Sequence, residues 1–210
     1  MTSREVVPFN NQKLDKSNQR LAIQKGKDYQ ADYVPHISFD DVRRILETLG
    51  DRDQLLVKMI FDGCLRVSEA LSVRPEDIVQ TADGWEVRVL GKGNKRSAMA
   101  ISATLAAQLQ AYAYRNNIAP DAVFFPIIRQ RVFQIVTSAM KKAGVVKPAG
   151  VGAVHVLRHS GALERLKRTG NPKAVQDQLR HASAAMTLRY MKTLAHEESL
   201  KIQQQINLEW

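Results

Sequence analysis

Between His155 and Tyr190 the residue order leaves the chain little choice but a series of short helices. Val156 to Thr169 carries Leu157, Leu163 and Leu166 at helical spacing. Gly170-Asn171-Pro172 then supplies a helix stop, an N-cap and a proline suited to a first helical position. Lys173 to Leu179 reads as the next helix, and Ala184 to Lys192 as a short helix or loop that carries Tyr190. Three of the five histidines, His155, His159 and His181, fall on this frame, with Arg158 and Arg180 beside them. Arginine holds phosphate oxygens in a two-pronged grip, histidine moves protons, and a tyrosine oxygen can attack phosphorus. Together these residues are suited to gripping an anionic phosphodiester and offering it an oxygen nucleophile.

The charge of the chain agrees with a polyanionic partner. Over 210 residues the formal net charge is +10, and basic proteins gain affinity for nucleic acid by releasing its counterions. The surplus is local: from His155 to Lys192 only Glu164 and Asp177 oppose the lysines and arginines. The single cysteine, Cys64, excludes an internal disulfide and a cysteine-rich zinc site, and fits a reducing compartment as a small apolar residue. No apolar run approaches membrane-spanning length and no signal-peptide pattern opens the chain, so the expected location is cytoplasmic, without a membrane partner.

Upstream, residues 1–35 are polar, mixed in charge and without sustained periodicity, and read as an arm. Ser38 with Asp41 marks a helix N-terminus, and Val42, Ile45, Leu46 and Leu49 form its apolar face. A second helix runs from Asp51 to Asp62, and Gly63 breaks it. The following turn presents Arg66, with Glu69 placed to support it. Trp85 to Leu90 alternates as a strand, Gly91-Lys92-Gly93-Asn94 is turn chemistry, and Arg96 to Ile101 returns as a second strand. Ala103 to Asn117 and Arg129 to Ala143 are helical, and a loop rich in Gly and Pro leads to His155. His155 and Arg158 lie three apart, on one face of a first turn whose free N–H groups favour an anion. The expected class is therefore mainly α with a small antiparallel β-sheet.

These residues, taken in order, resemble the tyrosine recombinases of the phage-integrase family. That family combines an arginine in a Gly-x-Arg-x-Ser-Glu turn, a hairpin lysine, a His-x-x-Arg box, a His or Trp, and a tyrosine nucleophile. Here the matching positions are Arg66 within Gly63-Cys64-Leu65-Arg66-Val67-Ser68-Glu69, Lys92, His155 with Arg158, His181, and Tyr190 nine positions later. Two departures are visible. Gly63 stands one residue further from Arg66 than the family's usual glycine, and Arg180 stands where glycine usually precedes the second histidine. Both flank the site, so altered local contacts are expected with the chemistry kept.

The resemblance covers roughly residues 36 to 195 and implies a recombinase catalytic domain, followed by a C-terminal helical tail at 196–210. The separate DNA-clamping domain usual in the family has no counterpart in the polar 1–35 arm. Either the chain is a short recombinase of catalytic domain alone, or it is a fragment. The implied activity is site-specific cleavage and rejoining of double-stranded DNA through a 3′-phosphotyrosyl intermediate, without cofactor or metal. Arg66, Arg158 and His181 would stabilise the phosphate charge, His155 would serve Tyr190, and Lys92 would protonate the leaving oxygen. Lys95, Arg96, Arg180 and Arg189 are the expected DNA contacts, and a homotetramer on DNA the expected assembly. A type IB topoisomerase-like nicking-closing enzyme and a non-catalytic DNA-binding regulator of the same fold are the alternatives.

Overall fold

The computed structural model describes residues 33–90, 96–181 and 183–206. Helix α1 spans Phe39–Glu47 and starts at a full capping box: Asp41 N–H donates to Ser38 Oγ at 3.1 Å and Ser38 N–H to the Asp41 carboxylate at 3.2 Å. Helix α2 (Asp51–Asp62) buries Leu55, Leu56, Met59 and Ile60, and ends at Gly63. The one-turn helix α3 (Val67–Ala70) follows, with Arg66 as its N-cap residue.

A three-stranded antiparallel meander comes next, in the order β1 (Ile78–Thr81), β2 (Gly84–Leu90), β3 (Arg96–Ile101). Val87 pairs with Ile78 on one side and Met99 on the other, and all three face the core. Strand β1 adds to the hairpin expected from sequence. Its signal was present in the β-branched Ile78-Val79 and Thr81 ahead of Asp83-Gly84, a turn pair.

The remaining elements are helical: α4 (Ala103–Arg115), α5 (Arg129–Lys142), α6 (Ala153–Thr169), α7 (Pro172–Leu179) and α8 (Ala184–Gln205). The main core gathers α1, α2, α4, α5, the N-terminal half of α6 and the inner face of the sheet. A second apolar cluster joins Val34, Cys64, Ala162, Leu163, Leu166, Val175, Leu179 and Tyr190, tying α6, α7 and α8 together. The mainly α class with a small antiparallel sheet is thus the observed one.

Two features of this frame set the site's geometry. At Gly161 helix α6 meets the backbone of α2 so closely that a Cβ there would lie 1.9 Å from the Phe61 carbonyl oxygen. Only glycine permits this approach. Helix α8 is the second feature. It continues from the Tyr190 segment through Gln205 as one helix, where two elements with a break near residue 195 were expected. Nothing between Lys192 and Glu197 breaks a helix, and Thr193 and Leu194 pack inward there, so the pattern carries straight through.

The extended segment at residues 34–37 straps α8 and α6 in place. Val34 N–H donates to Thr193 Oγ1 at 2.9 Å, Ile37 N–H to Ser160 Oγ at 2.9 Å, and His36 Nε2 lies 3.1 Å from the Glu197 carboxylate. The 1–35 arm falls almost wholly outside the described residues. No described helix is long and apolar enough to cross a membrane.

Candidate active site

The turn after α2 places Arg66. Cys64 takes the left-handed conformation, with φ at 51°, and turns the chain so that Leu65 packs into the core and Arg66 faces out. Glu69, one turn later and nearly buried, holds Arg66 twice. Its carboxylate accepts the Arg66 backbone N–H at 2.7 Å and the Arg66 guanidinium at 2.9 Å. The supporting role expected of Glu69 therefore has a concrete geometry.

Arg158 rises from α6 between this turn and the end of α7, and is buried. Its Nη2 donates to the Leu179 carbonyl at 2.9 Å, and its Nη1 donates to the carbonyl of Cys64. These carbonyls come from two chain reversals, at Cys64 and at Arg180, where φ is 54°. A non-glycine residue in this conformation costs roughly 1–2 kcal/mol. Both departures noted in the sequence thus fall at left-handed turns, and both turns aim a carbonyl at Arg158.

Arg180 is engaged within the protein. Its guanidinium donates to the same Glu69 oxygen that Arg66 grips, and its side chain is 18% exposed. Its expected place among the DNA contacts is at odds with this inward turn. The left-handed reversal ending α7 points the side chain back toward the buried carboxylate. Burial alone would raise the Glu69 pKa. Hydrogen bonds from Arg180 and from the backbone and side chain of Arg66 outweigh that and hold it below the usual range.

Tyr190 packs into the second apolar cluster with 5% exposure. Its ring centroid lies 5.8 Å from that of His181 and 6.0 Å from that of His159. Burial pushes the phenol up to about 12, against the pull of Arg158 and Arg189. His181 is oriented by Thr187, whose Oγ1 is 3.2 Å from its Nδ1. His159 has its Nδ1 3.2 Å from the Pro35 carbonyl, and burial takes its pKa down to about 4.

His155 stands one turn before His159, its ring 6.2 Å away edge to face, and is exposed. Partial burial, then Arg158, Arg66 and Arg129, lower its pKa. Partial burial, then Arg158 and Arg66, do the same to His181. In both, burial and the surrounding guanidinium groups disfavour the charged imidazolium. The guanidinium groups of Arg66 and Arg158 act on both histidines, and Tyr190 packs against His181, so the five side chains share one neighbourhood whose mouth is marked by the exposed Arg66 and His155. Arg129 and Phe133 on α5 border a cleft beside His155.

Arg96 and Arg189 are exposed, on β3 and α8 respectively. Lys92 and Lys95 lie outside the described residues, although β2 and β3, which flank them, pair up to Leu90 and Arg96. Gln178 is a residue that reading the sequence does not single out. Its amide donates to Gly63 O and Ala100 O, both at 2.8 Å, and accepts Ala100 N–H at 3.2 Å. It thereby fastens α7 to the hairpin and to the turn before Arg66. Its only signal was its spacing, three residues after Val175 and beside Leu179, on the apolar face of α7. Among the described residues, no cluster of three or more His, Cys, Asp or Glu is placed to hold a metal ion.

Comparison with known proteins gives the constellation a setting. Residues 35–197 match the model of the phage integrase family. The chain is 30% identical over 161 residues to tyrosine recombinase XerH of Campylobacter jejuni, covering 74% of this chain and 44% of that protein. It is 29% identical over 184 residues to tyrosine recombinase XerD of Listeria monocytogenes, covering 77% and 59%. It spans about half the length of such relatives. Among solved structures, XerH site-specific recombinase bound to palindromic difH substrate, in a post-cleavage complex, superposes with a TM-score of 0.67 at 22% identity. That match covers 81% of this chain and 53% of the other.

Proposed function

The chain belongs to the phage integrase family, and from that premise we propose that it is a site-specific recombinase that breaks and rejoins double-stranded DNA through Tyr190. The observation that supports the proposal is that the guanidinium groups of Arg66 and Arg158 act on both His155 and His181, with the Tyr190 ring packed 5.8 Å from that of His181. That XerH site-specific recombinase is bound to its palindromic difH substrate in the similar structure supports DNA as the substrate class.

In this reading a backbone phosphate enters the mouth and takes donors from Arg66, Arg158 and His181. Rigid, preorganised donors are worth most where charge grows on the nonbridging oxygens. The carbonyls of Cys64 and Leu179 fix the Arg158 fork before the phosphate arrives. His155, neutral and exposed, takes the Tyr190 proton in the DNA complex. Tyr190 Oη then attacks phosphorus and the 5′-oxygen leaves with a proton from Lys92. A 3′-phosphotyrosyl linkage remains. The bond conserves the phosphodiester energy, so religation proceeds by the reverse steps without ATP or a metal.

Arg96 and Arg189, both exposed, supply backbone contacts to the duplex. The distal half of α8 leaves Leu200, Ile202 and Ile206 half-exposed. These residues dock on a neighbouring protomer, giving a tetramer on two duplexes, since strand exchange requires four coordinated cleavages.

The test is incubation with a pool of nicked duplexes that trap the covalent state, in excess EDTA, followed by denaturing electrophoresis. A protein–DNA adduct is expected. Absence of adduct in EDTA, with strand cleavage restored by a divalent ion, would place the chemistry with a metal-dependent nuclease instead.

A further inference from the structure

We infer that Arg180 is a positioning residue: it keeps the buried Glu69 carboxylate paired with a cation, so that Arg66 is free to transfer its guanidinium from Glu69 to a phosphate. The inference rests on the reading of Arg66 as a phosphate ligand and adds a residue to that machinery.

Glu69 is 6% exposed, and one oxygen, Oε1, is shared by two guanidinium groups from different elements, Arg66 on its own turn and Arg180 from the end of α7. The two partners differ in exposure. The Arg66 side chain is 48% exposed, at the open mouth, whereas that of Arg180 is 18% exposed, behind it. A phosphate reaching the mouth therefore meets Arg66 first and competes with Glu69 for it. Removing the last cationic partner from a buried carboxylate is strongly unfavourable. With Arg180 in place, Glu69 keeps an ion pair and a hydrogen bond while Arg66 turns outward. Oε2 keeps its bond from the Arg66 backbone N–H throughout, so the turn itself does not move.

The placement of Arg180 depends on this one carboxylate. Among the described residues its buried Nε meets no acceptor. Its backbone occupies the left-handed region at φ 54°, where glycine is the unstrained residue. The same reversal turns the Leu179 carbonyl onto Arg158. Replacing the side chain by hydrogen leaves this turn undisturbed, and the charge effect can be read by itself.

The experiment compares wild-type protein with Arg180→Gly and Arg180→Lys. Single-turnover cleavage of a trapping duplex is measured at saturating DNA, alongside duplex affinity by titration. For Arg180→Gly the maximal cleavage rate is expected to fall by roughly tenfold to a hundredfold, as for a small misplacement of a catalytic group. Duplex affinity is expected to change by less than about threefold, because a residue that avoids the backbone contributes little to counterion release. Arg180→Lys, which keeps the charge and loses the fork, should recover part of the rate. A second readout avoids covalent chemistry: the rise in melting temperature with inorganic phosphate should be smaller in Arg180→Gly than in wild type, and absent in Arg66→Ala. Lost duplex affinity with an unchanged maximal rate would overturn the inference and make Arg180 a DNA contact. Equal rates and equal phosphate response in wild type and Arg180→Gly would also overturn it. If wild-type protein formed no adduct, the proposed function would fail. The phosphate response would then still decide the role of Arg180.

Discussion

Tyr190 and His181 lie ring beside ring, 5.8 Å between centroids and 36° between planes, the tyrosine on α8 and the histidine in the connection that precedes it. Thr187, on the first turn of α8, orients the histidine, so the helix that carries the tyrosine also sets its neighbour. Buried phenol, imidazole and the guanidinium of Arg158 are thus held together by the protein's own packing. The assembly depends on contacts that can be removed one at a time.

Arg158 joins structure to chemistry. Arg158→Ala should slow cleavage by about two to three decades, the usual effect of losing a transition-state donor. It also leaves the Cys64 and Leu179 carbonyls without their donor, which should lower stability by about 1–3 kcal/mol. Chemical denaturation and single-turnover kinetics on the same samples separate the two effects. A variant that cleaved within a few-fold of wild type would remove Arg158 from the site.

Thr193→Val tests the strap over α8. The hydroxyl accepts the Val34 N–H and donates to the Arg189 carbonyl. Valine keeps the volume and leaves a buried N–H unpaired, so a loss of about 1–3 kcal/mol is expected. Hydrogen exchange should quicken in α8 ahead of α2. Uniform exchange across both helices would show that residues 34–37 do not secure α8.

Gly161→Ala should be severe for a single methyl group. The added carbon would sit 1.9 Å from the Phe61 carbonyl oxygen, so α6 must move off α2. We expect about 3 kcal/mol of lost stability, in the upper range of overpacking effects, and reduced cleavage as Arg158 is withdrawn from Cys64. A melting temperature equal to wild type would contradict this contact.

The pH dependence of stability should follow His159. Its pKa falls from 6.5 to about 4 on folding. Between those values the unfolded chain takes up a proton that the native protein refuses, so the His159 contribution to stability falls as pH drops from about 6.5 toward 4 and then levels off, while the lowered carboxylates of Glu69 and Asp41 continue the loss in more acid solution. The total His159 effect is on the order of 3 kcal/mol. His155 and His181 have lowered values too and add to the same slope. In His159→Gln the slope should be shallower, measured by urea unfolding at successive pH values. An unchanged slope would assign the titration to other groups.

Much of this arrangement was legible in the sequence because the signals were local. Ser38 with Asp41, Gly170-Asn171-Pro172 and the alternation of Trp85 to Leu90 each specify their element through neighbours within a few residues. Motif order was enough to nominate Arg66, His155, Arg158, His181 and Tyr190. What escaped reading depends on partners distant in the chain. Arg180 bonds to a residue 111 positions away, and Gln178 bridges to Gly63 and Ala100 across 115 and 78 positions. Gly161 reads as a helix-weakening residue until α2 is seen against it. The continuity of α8 was hidden because Thr193, in its middle, is held by Val34, 159 positions away.

The central claim is that Tyr190 is the nucleophile, and the most direct measurement is the identity of the DNA-bearing residue. Trapped adduct should be digested with nuclease and trypsin and the modified peptide sequenced by mass spectrometry. The predicted result is a nucleotide-bearing peptide that begins after Arg189 and contains Tyr190-Met191-Lys192, and no adduct from Tyr190→Phe despite near-normal DNA binding. A nucleotide carried by Tyr33, Tyr112, Tyr114 or any residue other than Tyr190 would contradict it.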